Sequence, residues 1–330
     1  MDLISPAKAK PGDKVAVLSP SFAAPAAAPA VHEQALERLQ AVTGLEPVEF
    51  PTTRKLDAPA GERARDLNAA FADPEIRAVL ATIGGDDQIT VIPHLEASLV
   101  VNDPKPFLGY SDNTNLLNWL WTNGVAGFYG GSTQIHLGPG PHVDPVHEQS
   151  LRAALLTGER LELTEPGESE DLGHEWNDPR ALTEFGDREP TEAWTWSGPA
   201  RSVTGRTWGG CIEVVQWVLL LESSEELSPV SEYGRIMRSM GERGLLGAVD
   251  AVVVARPPTS DFTTRPSAGE RRALREAQRD VAIGVAQTYN PDAVIVVGPP
   301  FGHTRPQWIV PYGGLMTVDG ESRRLFADYR

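Results

Sequence analysis

Ser111 stands in the string Gly109-Tyr110-Ser111-Asp112, where a short apolar run ending at Tyr110 gives way to the stretch Asn113 to Thr122. A serine at a strand-to-helix junction presents its hydroxyl at the carboxyl edge of a sheet, beside the free amides of a helix N-terminus, and that is a seat for a nucleophile. An N-cap role is the competing reading, because Ser, Asp and Asn are the preferred caps, and Asn113 replaces the second glycine of a GxSxG elbow. Gly84 and Gly85 follow the run Ile76 to Ile83 and allow close approach of a ligand; with the Asp112 amide they could stabilise an oxyanion. His303, in Gly298-Pro299-Pro300-Phe301-Gly302-His303-Thr304, follows another apolar run at a glycine-bounded turn, where a general base can sit. A serine and a histidine need a third group to hold the imidazole tautomer. Glu222, after three leucines, and Glu213, within GGCIEVV, are the candidate acids.

These residues need a scaffold that brings positions 111, 222 and 303 together. Through the first third of the chain β-branched runs alternate with helical periodicity, the pattern of a mostly parallel sheet covered by helices. Strands are expected over Lys14 to Ser19, Pro47 to Phe50, Ile76 to Ile83 and Phe107 to Tyr110. Between them, Val31, Ala35, Leu39 and Val42 recur at helical spacing, and Ala58 to Phe71 is a second helix. The run Gly84 to Asp87 is expected to open a third helix and Asn113 to Thr122 to form a fourth, whereas the Ala/Pro run Ala23 to Ala30 reads as a loop. From Val146 to Ala200 periodicity fades and thirteen acidic residues face four arginines, so this stretch reads as an interdomain segment; Trp176, Trp194 and Trp196 imply that part of it packs. Helices are expected again over Gly209 to Trp217, Tyr233 to Arg243 and Ala268 to Ala286, with strands over Asp250 to Ala255 and Asp292 to Gly298 and two more around a glycine turn in Trp308 to Val318. The division expected is 1–145 for the nucleophile, 146–200 for the acidic substrate segment and 201–330 for the Glu and His.

Composition narrows the function. At 330 residues the chain is long enough for about two domains with real cores. Its net charge of -16 repels phosphate backbones and anionic lipid, which disfavours nucleic-acid and membrane partners. One cysteine, Cys211, cannot form an internal disulfide, and the seven histidines form no HExxH pair, so no metal site is expected. No window reaches the ~18 apolar residues of a spanning helix, and a cytoplasmic protein is the expectation.

The strings ATIGGDDQITVIPHL, NDPKPFLGYSDNTNLLNWLWTNGVAGFYGG, EWNDP, EAWTWSG, TWGGCIEVVQ, LLLESSEE and GPPFGHTRPQWIVPYG together resemble the LD-carboxypeptidase family of serine peptidases, with the microcin C self-immunity branch nearest. The resemblance runs from KVAVLSPS to the closing strands. It implies a Ser111-Glu222-His303 triad, an oxyanion hole from the amides of Asp112 and of Gly84 or Gly85, and no cofactor or metal. It also implies an α/β fold, with an N-terminal flavodoxin-like (class I glutamine amidotransferase-like) parallel sheet sandwich, a smaller C-terminal α/β domain, and a cytoplasmic homodimer. Substrate choice divides the family between murein tetrapeptides, which lose a terminal D-alanine, and aminoacyl or peptidyl nucleotides. Trp176 resembles the aromatic that stacks on adenine in the immunity branch. Catalytically dead binding of such ligands is the third reading, because the link from Gly209 to Glu222 is shorter than a helix, a loop and a strand require. Either Val218 to Leu221 forms the strand, or Glu222 is displaced and Glu213 is the fallback.

Overall fold

The computed structural model describes residues 3–218 and 229–330. Five strands, β1 (Lys14–Leu18), β2 (Glu46–Glu49), β3 (Ile76–Ala81), β4 (Phe107–Gly109) and β5 (Gly127–Tyr129), form a parallel sheet in the order 2-1-3-4-5. A sixth strand, Val310–Tyr312, returns from far along the chain and pairs antiparallel with β5. The central strands are buried along almost their whole length, as their unbroken apolar sequences require when helices cover both faces. Helix Pro29–Thr43 starts with proline at its first turn, buries Val31, Ala35 and Leu39, and ends on Gly44 in the left-handed conformation. Helix Ala60–Ala72 buries Ala64, Leu67, Ala70 and Phe71. Its last carbonyls accept from the buried Lys105 Nζ, at 2.9 Å from both Ala70 and Phe71, where a cation meets the negative end of the helix dipole.

Among the described residues there are three smaller sheets. Ser202–Arg206, Leu315–Asp319, Arg324–Asp328 and Arg160–Leu163 make an antiparallel sheet, and Ala251–Val254, Val294–Val297 and Thr195–Ser197 make a mixed one. Glu168–Ser169 pairs with Glu189–Pro190. Helix Ala268–Tyr289 begins with a capping box between Ser267 and Glu270 and packs Ala282 and Ala286 on the mixed sheet.

Several local expectations differ from the structure. The segment after Val146 holds part of a helix, Pro145–Arg152, and the strands Arg160–Leu163 and Thr195–Ser197, so it is woven into two sheets. Its short elements lie below the length at which periodicity is visible. Trp194 is buried, as its type suggested. The Ala/Pro run contains a helical turn, Ala24–Ala27, with proline at its start. After Gly84-Gly85 two 3-10 turns, Gln88–Thr90 and Ile92–His94, replace the expected helix; Pro93 lacks the N–H that a continuing helix would use. Val218 belongs to helix Ile212–Val218 and does not open a strand. Glu222 lies outside the described residues.

Candidate functional site

β4 ends at Gly109, and the chain turns at Ser111 into a 3-10 turn and then the helix Thr114–Thr122. Ser111 has φ of 59°, one of three non-glycine residues at positive φ among the described residues. An L residue is held there at a cost, which neighbouring structure must meet. Here the Ser111 N–H donates to Tyr129 Oη at 3.3 Å, and its carbonyl accepts from Thr114 Oγ1 at 2.7 Å. The N-cap positions fall at Tyr110, before the 3-10 turn, and at Asn113, before the helix, so Ser111 is the first residue of the turn and not its cap.

Gly84 lies directly against this turn. A Cβ built on it would sit 2.8 Å from Ser111 Cβ and 3.1 Å from both Ser111 Oγ and the Asp112 nitrogen, so only glycine lets the β3 loop approach so closely. Gly85 packs instead on the loop after β1, where an added Cβ would meet Ser21 Oγ at 2.1 Å. Among the described residues, no protein acceptor takes the N–H groups of Gly84, Gly85 or Asp112. The turn therefore presents free donors next to a hydroxyl, which is the arrangement an oxyanion needs.

The Asp112 carboxylate ties three loops into one body. Its Oδ2 accepts from Ser21 Oγ at 2.6 Å and from the Gln88 N–H at 2.9 Å, while Oδ1 accepts from Asn115 Nδ2 at 2.9 Å. Gln88 then reaches Asn113 Oδ1 at 2.7 Å and the Leu116 N–H at 3.0 Å. Sequence reasoning assigned Asp112 only its amide. The signal it passed over was an acid adjoining a candidate nucleophile, in a position too buried for an unpaired charge.

His303 comes to the same place from the opposite end of the chain. Its ring centroid lies 5.2 Å from that of Tyr110, the residue before Ser111. His303 is exposed as a residue, with protein crowding its ring on the Tyr110 side. Crowding lowers its pKa below 6.5, opposed by the negative charge of Glu213. Tyr110 also meets His136 at 5.2 Å, and His136 stacks on His147 at 4.9 Å. Burial pushes His136 well below the ordinary histidine range and His147 down to about 4.

Helix Ile212–Val218 reaches the site by its N-terminus. The Cys211 N–H donates to Thr114 Oγ1 at 3.0 Å, the same hydroxyl that holds the Ser111 carbonyl. Gly210, at φ of 126°, fits where a Cβ would lie 2.4 Å from Thr114 Cγ2. Cys211 Sγ donates to Glu213 Oε2 at 2.9 Å, and burial raises the thiol's pKa, so it stays protonated and is no rival nucleophile. The structure thus brings Ser111, Asp112, Gly84, His303 and Glu213 into one neighbourhood. Trp176 is half-buried at the second position of the turn Glu175 to Asp178, and Asp178 caps the 3-10 turn Pro179–Leu182. Among the described residues no cluster of three metal-ligating side chains occurs, and no helix is long and apolar enough to cross a membrane.

Comparison with known proteins identifies the family. The chain is 28% identical over 328 residues to a protein of Vibrio cholerae named as a carboxypeptidase, covering 93% of this chain and 92% of that one. It is 24% identical over 283 residues to the microcin C7 self-immunity protein MccF of Escherichia coli, covering 80% and 77%. The solved structure of MccF in complex with aspartyl sulfamoyl adenosine superposes with a TM-score of 0.82 at 21% identity, covering 98% of each chain. Residues 15–130 match the LD-carboxypeptidase N-terminal domain and residues 204–318 the LD-carboxypeptidase C-terminal domain. This chain belongs to the LD-carboxypeptidase family of serine peptidases.

Proposed function

We propose that the protein is a cytoplasmic, homodimeric hydrolase that cleaves the amide or acyl phosphoramidate bond of aminoacyl or peptidyl nucleotides, in self-immunity or detoxification. The observation that carries this reading is the positive-φ turn at Ser111, with Gly84 against it and the His303 ring beside Tyr110. Ser111 Oγ attacks the acyl carbon while His303 accepts its proton. The oxyanion takes hydrogen bonds from the amides of Asp112 and of Gly84 or Gly85. His303 then protonates the departing nitrogen, and water resolves the acyl-enzyme by the reverse proton path. Glu222 is assigned to orient His303, with Glu213, whose charge already acts on that imidazole, as the alternative acid. Trp176 offers a flat face for a nucleobase, and the aminoacyl-nucleotide complex of the related MccF supports that assignment. The nucleophile unit, 1–145, has the strand order of flavodoxin-like folds; 146–200 supplies the substrate segment and 201–330 the acid and base.

Hydrolysis of an aminoacyl sulfamoyl adenosine and of a murein tetrapeptide, measured side by side, tests this reading. Cleavage of the nucleotide compound that is lost in Ser111→Ala supports it, and Glu222→Gln against Glu213→Gln identifies the acid. Release of D-alanine from the tetrapeptide, indifferent to Trp176→Ala, would replace it with the murein activity that also occurs in the family. Binding of the nucleotide compound without turnover would make the protein a sequestering one.

A further inference from the structure

Two residues beyond His303, the chain enters a buried cluster of four charges. Arg305, Asp144 and Glu170 are each almost fully buried, and Arg188 closes the ring. Arg305 Nη2 lies 3.3 Å from Asp144 Oδ2, and Arg305 Nη1 lies 3.4 Å from Glu170 Oε1. Arg188 repeats the pattern, with Nη2 at 2.8 Å from Asp144 Oδ1 and Nε at 3.6 Å from Glu170 Oε2. Glu170 is thus close enough to both cations for charge pairing, yet neither of its oxygens has an aligned hydrogen bond. Both guanidinium groups pack on the ring of Phe185, at 3.4 Å for Arg188 and 5.3 Å for Arg305.

The backbone is joined at the same point. The Glu170 N–H donates to the Arg305 carbonyl at 2.8 Å and the Arg305 N–H to the Glu170 carbonyl at 2.9 Å. Gln307 closes the loop from the other side: Nε2 donates to the Gly302 carbonyl at 2.7 Å, and Oε1 accepts from the Gly131 N–H at 3.0 Å. His303 therefore stands between two clamped positions. One clamp belongs to the segment that leads into Trp176, and the other to the loop after β5. Burying four charges is expensive, and replacement by apolar side chains would often be neutral for stability, so stability alone is a weak account of the cluster.

We propose that Arg305, through its ion pairs with Asp144 and Glu170, is a positioning residue that holds the His303 imidazole against the Ser111 turn and couples it to the Trp176 segment. This assignment rests on His303 acting as the base, and it can be tested without substrate. Among the described residues, the titratable groups that face His303 are Tyr110 from the Ser111 turn, His136 from the segment after β5 and Glu213 from helix Ile212–Val218. Loosening the loop hydrates the imidazole, so its titration midpoint should rise toward ~6.5.

The experiment follows the histidine ring protons of the full chain by NMR across pH, with His303→Gln identifying the resonance, in Arg305→Gln, Glu170→Gln and Leu67→Ala. Leu67→Ala is a destabilised control in the core of the parallel sheet. The proposal expects an upward shift of the His303 midpoint in Arg305→Gln, a smaller one in Glu170→Gln, none in Leu67→Ala, and a fall in kcat of about 10²-fold for Arg305→Gln. An unchanged midpoint in the folded Glu170→Gln and Arg305→Gln proteins would overturn it, as would an equal shift in Leu67→Ala. If Arg305→Gln does not fold, Glu170→Gln decides. A parent protein that cleaves neither test compound would defeat the proposed activity while leaving this titration to be read by itself.

Discussion

The turn that carries Ser111 and the loop that carries His303 meet at Tyr110, but different forces hold them. Around Ser111 the partners are neutral: Tyr129 and Thr114 hold its backbone, and Ser21 and the Gln88 N–H are gathered by one carboxylate, Asp112. They come from loops at the carboxyl edge of a single parallel sheet, so strand order alone brings them together. Around His303 the partners are buried ion pairs and a stacked pair of neutral histidines, drawn from segments more than 130 residues earlier in the chain. A nucleophile needs one strained position and close backbone approach, which a sheet edge supplies cheaply. An imidazole on a loop has no such frame, and here its surroundings are built from long-range charge pairs.

The difference can be broken first at Ser111, the proposed nucleophile. Ser111→Ala should lower kcat on the cleaved substrate by at least ~10³-fold with little change in thermal stability, because the oxyanion donors remain; steady-state kinetics and a thermal melt check both. Fluorophosphonate labelling should disappear in the same variant. Retained labelling would place the reactive hydroxyl elsewhere.

The His303 side should respond to acid much more than the Ser111 side. His147 has a native pKa of about 4 because burial penalises its charged form, whereas the unfolded chain binds a proton near 6.5. Stability from this residue is complete above pH ~6.5 and is lost as pH falls from there toward 4, by up to about 3 kcal/mol. Denaturant unfolding at pH 7 and pH 4.5 should show that loss, and His147→Gln should shrink it. Activity has the same sign: with His303 lowered from its ordinary value, the acid limb of kcat/KM should have its midpoint below ~6.5. A midpoint above 7 would contradict the crowding of that ring by protein.

Gly84→Ala tests how closely the two sides are fitted. The added methyl would stand 2.8 Å from Ser111 Cβ, and displacement of the oxyanion donors should cost about 10²-fold in kcat with KM nearly unchanged. Gly85→Ala meets Ser21 and Phe22 instead, so it should damage folding more than chemistry, as a melt of the two variants would reveal. The smallest effect expected is at Trp176. Loss of a stacked base is worth ~1–3 kcal/mol, so Trp176→Ala should raise KM for an aminoacyl nucleotide by about tenfold and leave a murein tetrapeptide unaffected.

The alternation of apolar runs with helical spacing was sufficient to place β1 to β4 and the helices Pro29–Thr43, Ala60–Ala72 and Thr114–Thr122 within a few residues. It was sufficient because in a parallel sheet each strand is buried on both faces and each helix has one apolar stripe. Ser111, Gly84 and His303 could be picked out as candidates for a related reason: each follows the end of such an element. The strands Arg160–Leu163 and Thr195–Ser197 were not legible, since a strand of three or four residues carries no period and owes its form to partners at Leu325 and Ile295.

Residue types and local order therefore determined which side chains could act and at which element ends they stand. The tertiary structure alone decided their company. It set Gly84 rather than Gly85 against Ser111, made Asp112 the junction of three loops, brought the charge of Glu213 within reach of His303, and buried Arg305 between Asp144 and Glu170. The physical reason is that a buried charge or a close backbone contact is decided by atoms distant in sequence, and nothing in the spacing of neighbouring residues records which distant atoms those will be.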